Sequence, residues 1–255
     1  RSALGFIGIT TFGYASANET LHPVTHSPGS EPIFYRYPSM NDSMVSSVVG
    51  ASHFDFDKVK QMVTQRPELA KAAWDWGFGD WETALGAASH VGRRDIAELL
   101  ISYGARPDIF TFTMMGMLKS VQDIIETVPG IQSNPGPHGI TLLQHAKNRL
   151  TDKNISAVDS ANVNKVISYL ESIGNADSKP KSLEITEEEK KMYFGEYRFG
   201  DGADEILVVN LHRLGYLQLG RKGAGSRSLT KTDENTFFPA GAPSVKIIFK
   251  MKDGK

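Results

Sequence analysis

Nine consecutive residues, Trp74-Asp75-Trp76-Gly77-Phe78-Gly79-Asp80-Trp81-Glu82, hold every tryptophan of the chain. Aromatic rings interleaved with carboxylates suit recognition. Ring faces attract cations and stack on sugars, and buried aromatics anchor protein interfaces. The alternative is that the rings pack inward beneath a long loop. Trp74, Trp76, Phe78, Asp80 and Trp81, with His90 and Arg93 beside them, form the expected partner-binding set.

The histidines offer less. His53 and His90 end two copies of Ala-Ser-His placed 37 residues apart, which points to a helix-end hydrogen bond made once per unit. Packed layers lie about 10 Å apart, too far for shared zinc ligation at about 2 Å per bond. His138 and His145 fit no metal spacing with that pair, and His22 and His26 are separated by Pro23 and followed by Pro28. No metal and no cofactor is expected. Catalysis finds no support either. The chain has no cysteine and no Gly-x-Ser-x-Gly. The glycine-rich Gly220–Arg227 lacks Gly-Lys-Ser/Thr and leads into a strand, so it reads as a basic hairpin loop. The expectation is a non-enzymatic protein.

The elements that must position these residues follow from composition and period. The chain has 255 residues, 40% of them hydrophobic, with 28 basic against 29 acidic side chains and a formal charge of −1. That is enough for a real core and gives no electrostatic case for nucleic acid or an anionic membrane. Leu4 to Ala15 carries no charge and ends at Ala15-Ser16-Ala17. Residues 1–17 therefore read as a signal-peptide-like segment, which implies an exported, periplasmic or secreted bacterial protein with no integral membrane segment. Residues 18–42 are rich in Pro, Ser and Thr and read as an extended surface segment, with Ile33, Phe34, Tyr35 and Tyr37 wrapping the first unit.

Self-similarity dominates residues 43–176. Val59, Met62 and Val63 recur 37 residues on as Ile96, Leu99 and Leu100, and Thr83, Leu85 and Ala88 recur 58 residues on as Thr141, Leu143 and Ala146. Ile96, Leu99 and Leu100 have the spacing of one buried helix face. Thr83 can cap a helix, and Gly92 and Gly104 can take the positive φ of helix ends. Four helix pairs follow, at about 43–70, 80–107, 109–130 and 138–176. The unit Glu82-Thr83-Ala84-Leu85 through Gly104-Ala105 resembles an ankyrin repeat, and Trp74 to Ile96 resembles exported bacterial ankyrin proteins of unassigned role. The resemblance implies an α-solenoid with a concave binding face, and brings no activity with it.

After a polar linker at 177–185, Thr186-Glu187-Glu188-Glu189 reads as a capping box. Short apolar runs separated by Gly- and Asp-containing turns then predict a small antiparallel sheet or partial barrel over 186–255. Its Tyr193-Phe194-Gly195-Glu196-Tyr197 opening and Phe237-Phe238-Pro239 element resemble the accessory domain of serine β-lactamase-like hydrolases. Ending at Asp253-Gly254-Lys255, that domain is expected to lack its closing strand. The expected fold class is thus α+β, an ankyrin solenoid followed by a β domain. The expected function is a monomeric module binding a protein or peptide partner through the concave face and the Trp-rich loop. The alternative is a small-molecule, carbohydrate or hydrolase-accessory role for the β domain.

Overall fold

The structure, a computed structural model, describes residues 40–202, 205–222 and 225–250, together with the backbone of 7–10. The cleavage-like tripeptide, the aromatic run Ile33–Tyr37 and the terminal Asp253–Lys255 lie outside the described residues.

Eight helices come first, in antiparallel pairs: α1 (Asp42–Ala51) with α2 (Phe56–Gln65), α3 (Ala84–His90) with α4 (Arg94–Ser102), α5 (Ile109–Met114) with α6 (Leu118–Thr127), and α7 (Leu142–Arg149) with α8 (Ala157–Ile173). Local chemistry sets their starts. Asn41, Thr83, Asp108 and Thr141 each accept a first-turn backbone N–H of the leading helix in their pair, which satisfies amides that have no partner within the helix. The leading helices are small-residue rods. All seven residues of α3 are buried, and its Ala84, Ala87, Ala88 and Gly86 let neighbours approach closely. Val59, Val63, Ile96 and Leu100 of the trailing helices are fully buried on the faces that the period predicts.

The expected ankyrin solenoid does not form, although the α+β class and the order of helices before strands do. In a solenoid each unit touches only its neighbours in sequence. Here the α3–α4 pair meets α7–α8 directly, and α3, α5 and α7 contact one another in a triangle. The Asn148 amide donates to the His90 carbonyl at 2.6 Å, and Arg94 reaches Asp159 of α8 at 2.9 Å. At Gly92 a Cβ would stand 2.8–3.0 Å from backbone atoms of Asn148 and Arg149. The helices close into a cluster with two packed cores, one around α1–α4 and one around α5–α8.

A short helix, α9 (Glu187–Met192), capped by Thr186, leads into the sheet. Strands β4 (Gly195–Arg198), β5 (Ile206–Leu211), β6 (Leu217–Arg221), β7 (Ser226–Asp233), β8 (Thr236–Pro239) and β9 (Lys246–Phe249) form an antiparallel meander curled into a half-barrel. Tyr193, Leu219, Phe237 and Ile247 fill its inner face. Residues Ile7–Thr10, expected to belong to a leader, pair as strand β1 against β9, with Ile7 opposite Phe249. A separate hairpin pairs β2 (Ala73–Asp75) with β3 (Trp81–Thr83). Among the described residues, no helix is long and apolar enough to cross a membrane.

Candidate metal centre

The hairpin sorts its own side chains. Strand side chains alternate between faces, so Trp81 and Thr83 point out while Glu82, opposite Trp74, points in and is buried. The loop between the strands is tied by Asp75, whose Oδ1 accepts the amides of Gly77 (2.8 Å) and Gly79 (3.1 Å). Trp74 and Trp76 pack on the helical core, and Phe78 packs on the sheet core. Of the expected aromatic contact set, Trp81 is left in solvent at 64% exposure. Arg93 is spent elsewhere, on Asp95 and the Phe54 carbonyl.

Around Glu82 the structure gathers what spacing alone kept apart. His53 follows the end of α1, His90 ends α3, and His138 lies in the turn before Thr141. Their rings converge, with centroids 4.9 Å apart for His53–His90 and 5.2 Å for His90–His138. The expectation that His53 and His90 lie too far apart is corrected. Layer spacing separates backbones, whereas these side chains lean from neighbouring helix ends onto one carboxylate. Glu82 Oε1 is 2.9 Å from His90 Nδ1 and 3.3 Å from His138 Nε2, and Oε2 is 3.4 Å from His53 Nε2. One ligand atom from each of the four residues lies within 4.8 Å of every other. Tetrahedral zinc with bonds of about 2.0–2.1 Å separates its ligand atoms by about 3.3 Å, so small side-chain movements close this set on an ion.

The outer contacts orient the donors. His53 Nδ1 lies 3.0 Å from the Gly50 carbonyl, and His138 Nδ1 lies 2.6 Å from Asp80 Oδ2. With Nδ1 donating in each case, Nε2 is the nitrogen turned toward the ligand set, the arrangement that carboxylates and carbonyls impose on metal-ligating imidazoles; at His138 an ion would displace the Nε2 proton shared with Glu82. Trp76 Nε1 donates to Glu82 Oε2 at 2.7 Å, which leaves Oε1 to His90 and His138. Despite their short separation, His90 Nδ1 and Glu82 Oε1 are misaligned for a hydrogen bond, and both are buried with ion-pair contacts but no aligned hydrogen bond. Buried polar atoms without an aligned hydrogen bond are costly. An ion between them would satisfy both.

Electrostatics knit the cluster together as an ion pair between Glu82 and His138. Burial pushes the Glu82 carboxyl up, but the imidazoles of His138 and His90 outweigh it and hold Glu82 at about 2. Burial lowers His138, while Asp80 and Glu82 raise it more, to about 9. His53 is kept below its ordinary range, chiefly by burial. Asp80 is 1% exposed. Burial opposes its charge, and the His138 side chain and backbone amide together with Arg227 hold its pKa down nonetheless. His138 and Phe78 hold left-handed φ values of 59° and 62°. Such conformations cost of order 1–3 kcal/mol each and persist where surrounding contacts over-determine them.

No protein family, curated protein or solved structure matches this chain. The reading therefore stands on geometry. Sequence reasoning passed over Glu82 as a ligand and set His138 aside. The usable signal was the 58-residue offset, which makes Asp80 and His138 equivalent positions, each three residues before a helix-capping threonine. Neither of two surface clefts includes a ligand histidine. One, of about 660 Å³, is walled by paired charges such as Arg94, Asp159 and Arg149. The other, of about 330 Å³, lies by Trp81, Phe110 and Pro137.

Proposed function

We propose that this protein binds one divalent metal ion of the zinc class through His53, Glu82, His90 and His138, in a closed site that ties three helix units together. The observation that carries the reading is the convergence within 4.8 Å of four ligand atoms, one from each of His53, Glu82, His90 and His138. Three imidazoles and one carboxylate favour zinc, nickel, copper or iron over magnesium or calcium, which take oxygen-rich shells. Four protein ligands are the number that structural zinc sites use, whereas catalytic sites keep a position open. The protein's own contribution is orientation: the Gly50 carbonyl, Asp80 and Trp76 hold three of the donors in place.

The test is calorimetric titration of the metal-stripped chain with zinc, with magnesium as comparator and cobalt as a visible-spectrum reporter. One zinc per chain, no magnesium uptake and the intense visible band of a four-coordinate cobalt ion are expected. Glu82→Gln and His90→Ala should each weaken zinc by more than the roughly 10–100-fold typical of losing an outer partner, with the helical circular dichroism retained. A wild-type chain that takes up no zinc overturns the proposal, as do both variants binding as tightly as wild type.

A further inference from the structure

We infer that the C-terminal sheet forms the outer wall of this metal site, so that metal loading and the docking of the sheet on the helices are one coupled equilibrium. The inference rests on the metal reading above and adds a regulation to it. Its centre is Asp80, which touches both parts of the molecule. On the helical side it receives the His138 backbone amide at 2.8 Å and the His138 ring at 2.6 Å. On the sheet side Arg227 of β7 reaches its Oδ2 at 3.2 Å. Gly241, in the turn between β8 and β9, lies so close that a Cβ would fall 2.2–2.4 Å from the Asp80 carboxyl atoms. Glycine at that position is therefore what lets the sheet seat against Asp80.

The hairpin supplies the mechanical link. Within seven residues it carries Trp76 in the helical core, Phe78 in the sheet core, Asp80 between the two, and Glu82 at the ligand cluster. An ion held by Glu82 and His138 fixes both ends of the Asp80 contact, and a seated sheet fixes Asp80 for the ion. Two events that each order the same residue favour one another, and linkage makes the effect reciprocal. Arg227 and Gly241 are then positioning residues, acting on the metal through Asp80 and His138.

Hydrogen exchange of the full chain, with and without saturating zinc, reads the coupling directly. Zinc should slow exchange across residues 226–242 at least tenfold. In the reverse direction Gly241→Ala should weaken zinc about 10–100-fold, the range for an outer-shell partner, and shift the cobalt spectrum. Gly215→Ala is the control. Gly215 shares the positive φ, at 86° against 84°, but a Cβ there would meet nothing within 4 Å. Equal losses in the two variants would reduce the effect to backbone strain and overturn the inference. Should Gly241→Ala fail to fold, the wild-type exchange decides. Zinc binding with exchange of 226–242 unchanged overturns the coupling and leaves the metal site standing, whereas no zinc uptake at all removes the site itself.

Discussion

His145 shows how a buried imidazole outside the ligand set shapes the molecule. It is wholly buried, its Nδ1 donates to the Thr141 carbonyl at 2.8 Å, and its Nε2 has no partner. Burial lowers its pKa from 6.5 to about 4. The unfolded chain therefore takes up this proton first, so stability is lost as pH falls from about 6.5 to about 4, and the residue is neutral to stability above that window. The drop is of order 3 kcal/mol. His145→Asn, whose amide can keep the bond to Thr141, should flatten this part of the stability–pH curve in urea titrations with chelator present. An unchanged slope would place the effect elsewhere. At the metal, Trp76→Phe keeps the ring but removes the 2.7 Å donor to Glu82. About a tenfold weaker zinc affinity is expected by calorimetry. Residue types were legible in the sequence. His53 and His90 stood out as equivalent, and the carboxylates of the aromatic loop were noticed. Their meeting point was not, because helix-end positions fix where a Cα lies and leave the side chain's reach to tertiary packing.

Among the elements, the helix turns make the clearest contrast. Gly92 and Gly104 both end helices with positive φ, 78° and 90°, and the sequence marked both. Their surroundings differ. A Cβ on Gly92 meets the α7 backbone at 2.8–3.0 Å, whereas on Gly104 its nearest neighbour is the flexible end of Lys71 at 3.5 Å. Gly104→Ala should cost about 1–2 kcal/mol, the left-handed strain alone. Gly92→Ala should cost about 2–4 kcal/mol, because overpacking adds to the strain. Urea midpoints would rank the two. That difference was hidden in the sequence for the same reason that the solenoid was expected. Ile96, Leu99 and Leu100 show that a face is covered, and the 37- and 58-residue offsets show that similar units recur. Neither says which unit does the covering. The capping threonines Thr83 and Thr186 were legible because the cap is a local hydrogen bond.

At the scale of the whole molecule, the centre bridges segments far apart in sequence: His53 follows α1, Glu82 and His90 flank α3, and His138 precedes α7. Zinc at about 1,000 times its dissociation constant should add about 4 kcal/mol to stability, seen as a rise in melting temperature that a chelator reverses. Glu82→Gln should abolish the rise. The triangle of α3, α5 and α7 also fixes an order of events during translation. Helix α3 is buried along its whole length, yet α7, one of the helices that cover it, ends only at Arg149. A nascent chain stopped after Thr127 would present the α7-facing flank of α3 to solvent, with the Gly92 turn unsealed and the His90 carbonyl lacking Asn148. The ribosome must therefore deliver the chain through Arg149 before α3 can be enclosed, and until then that stretch is a natural target for chaperones.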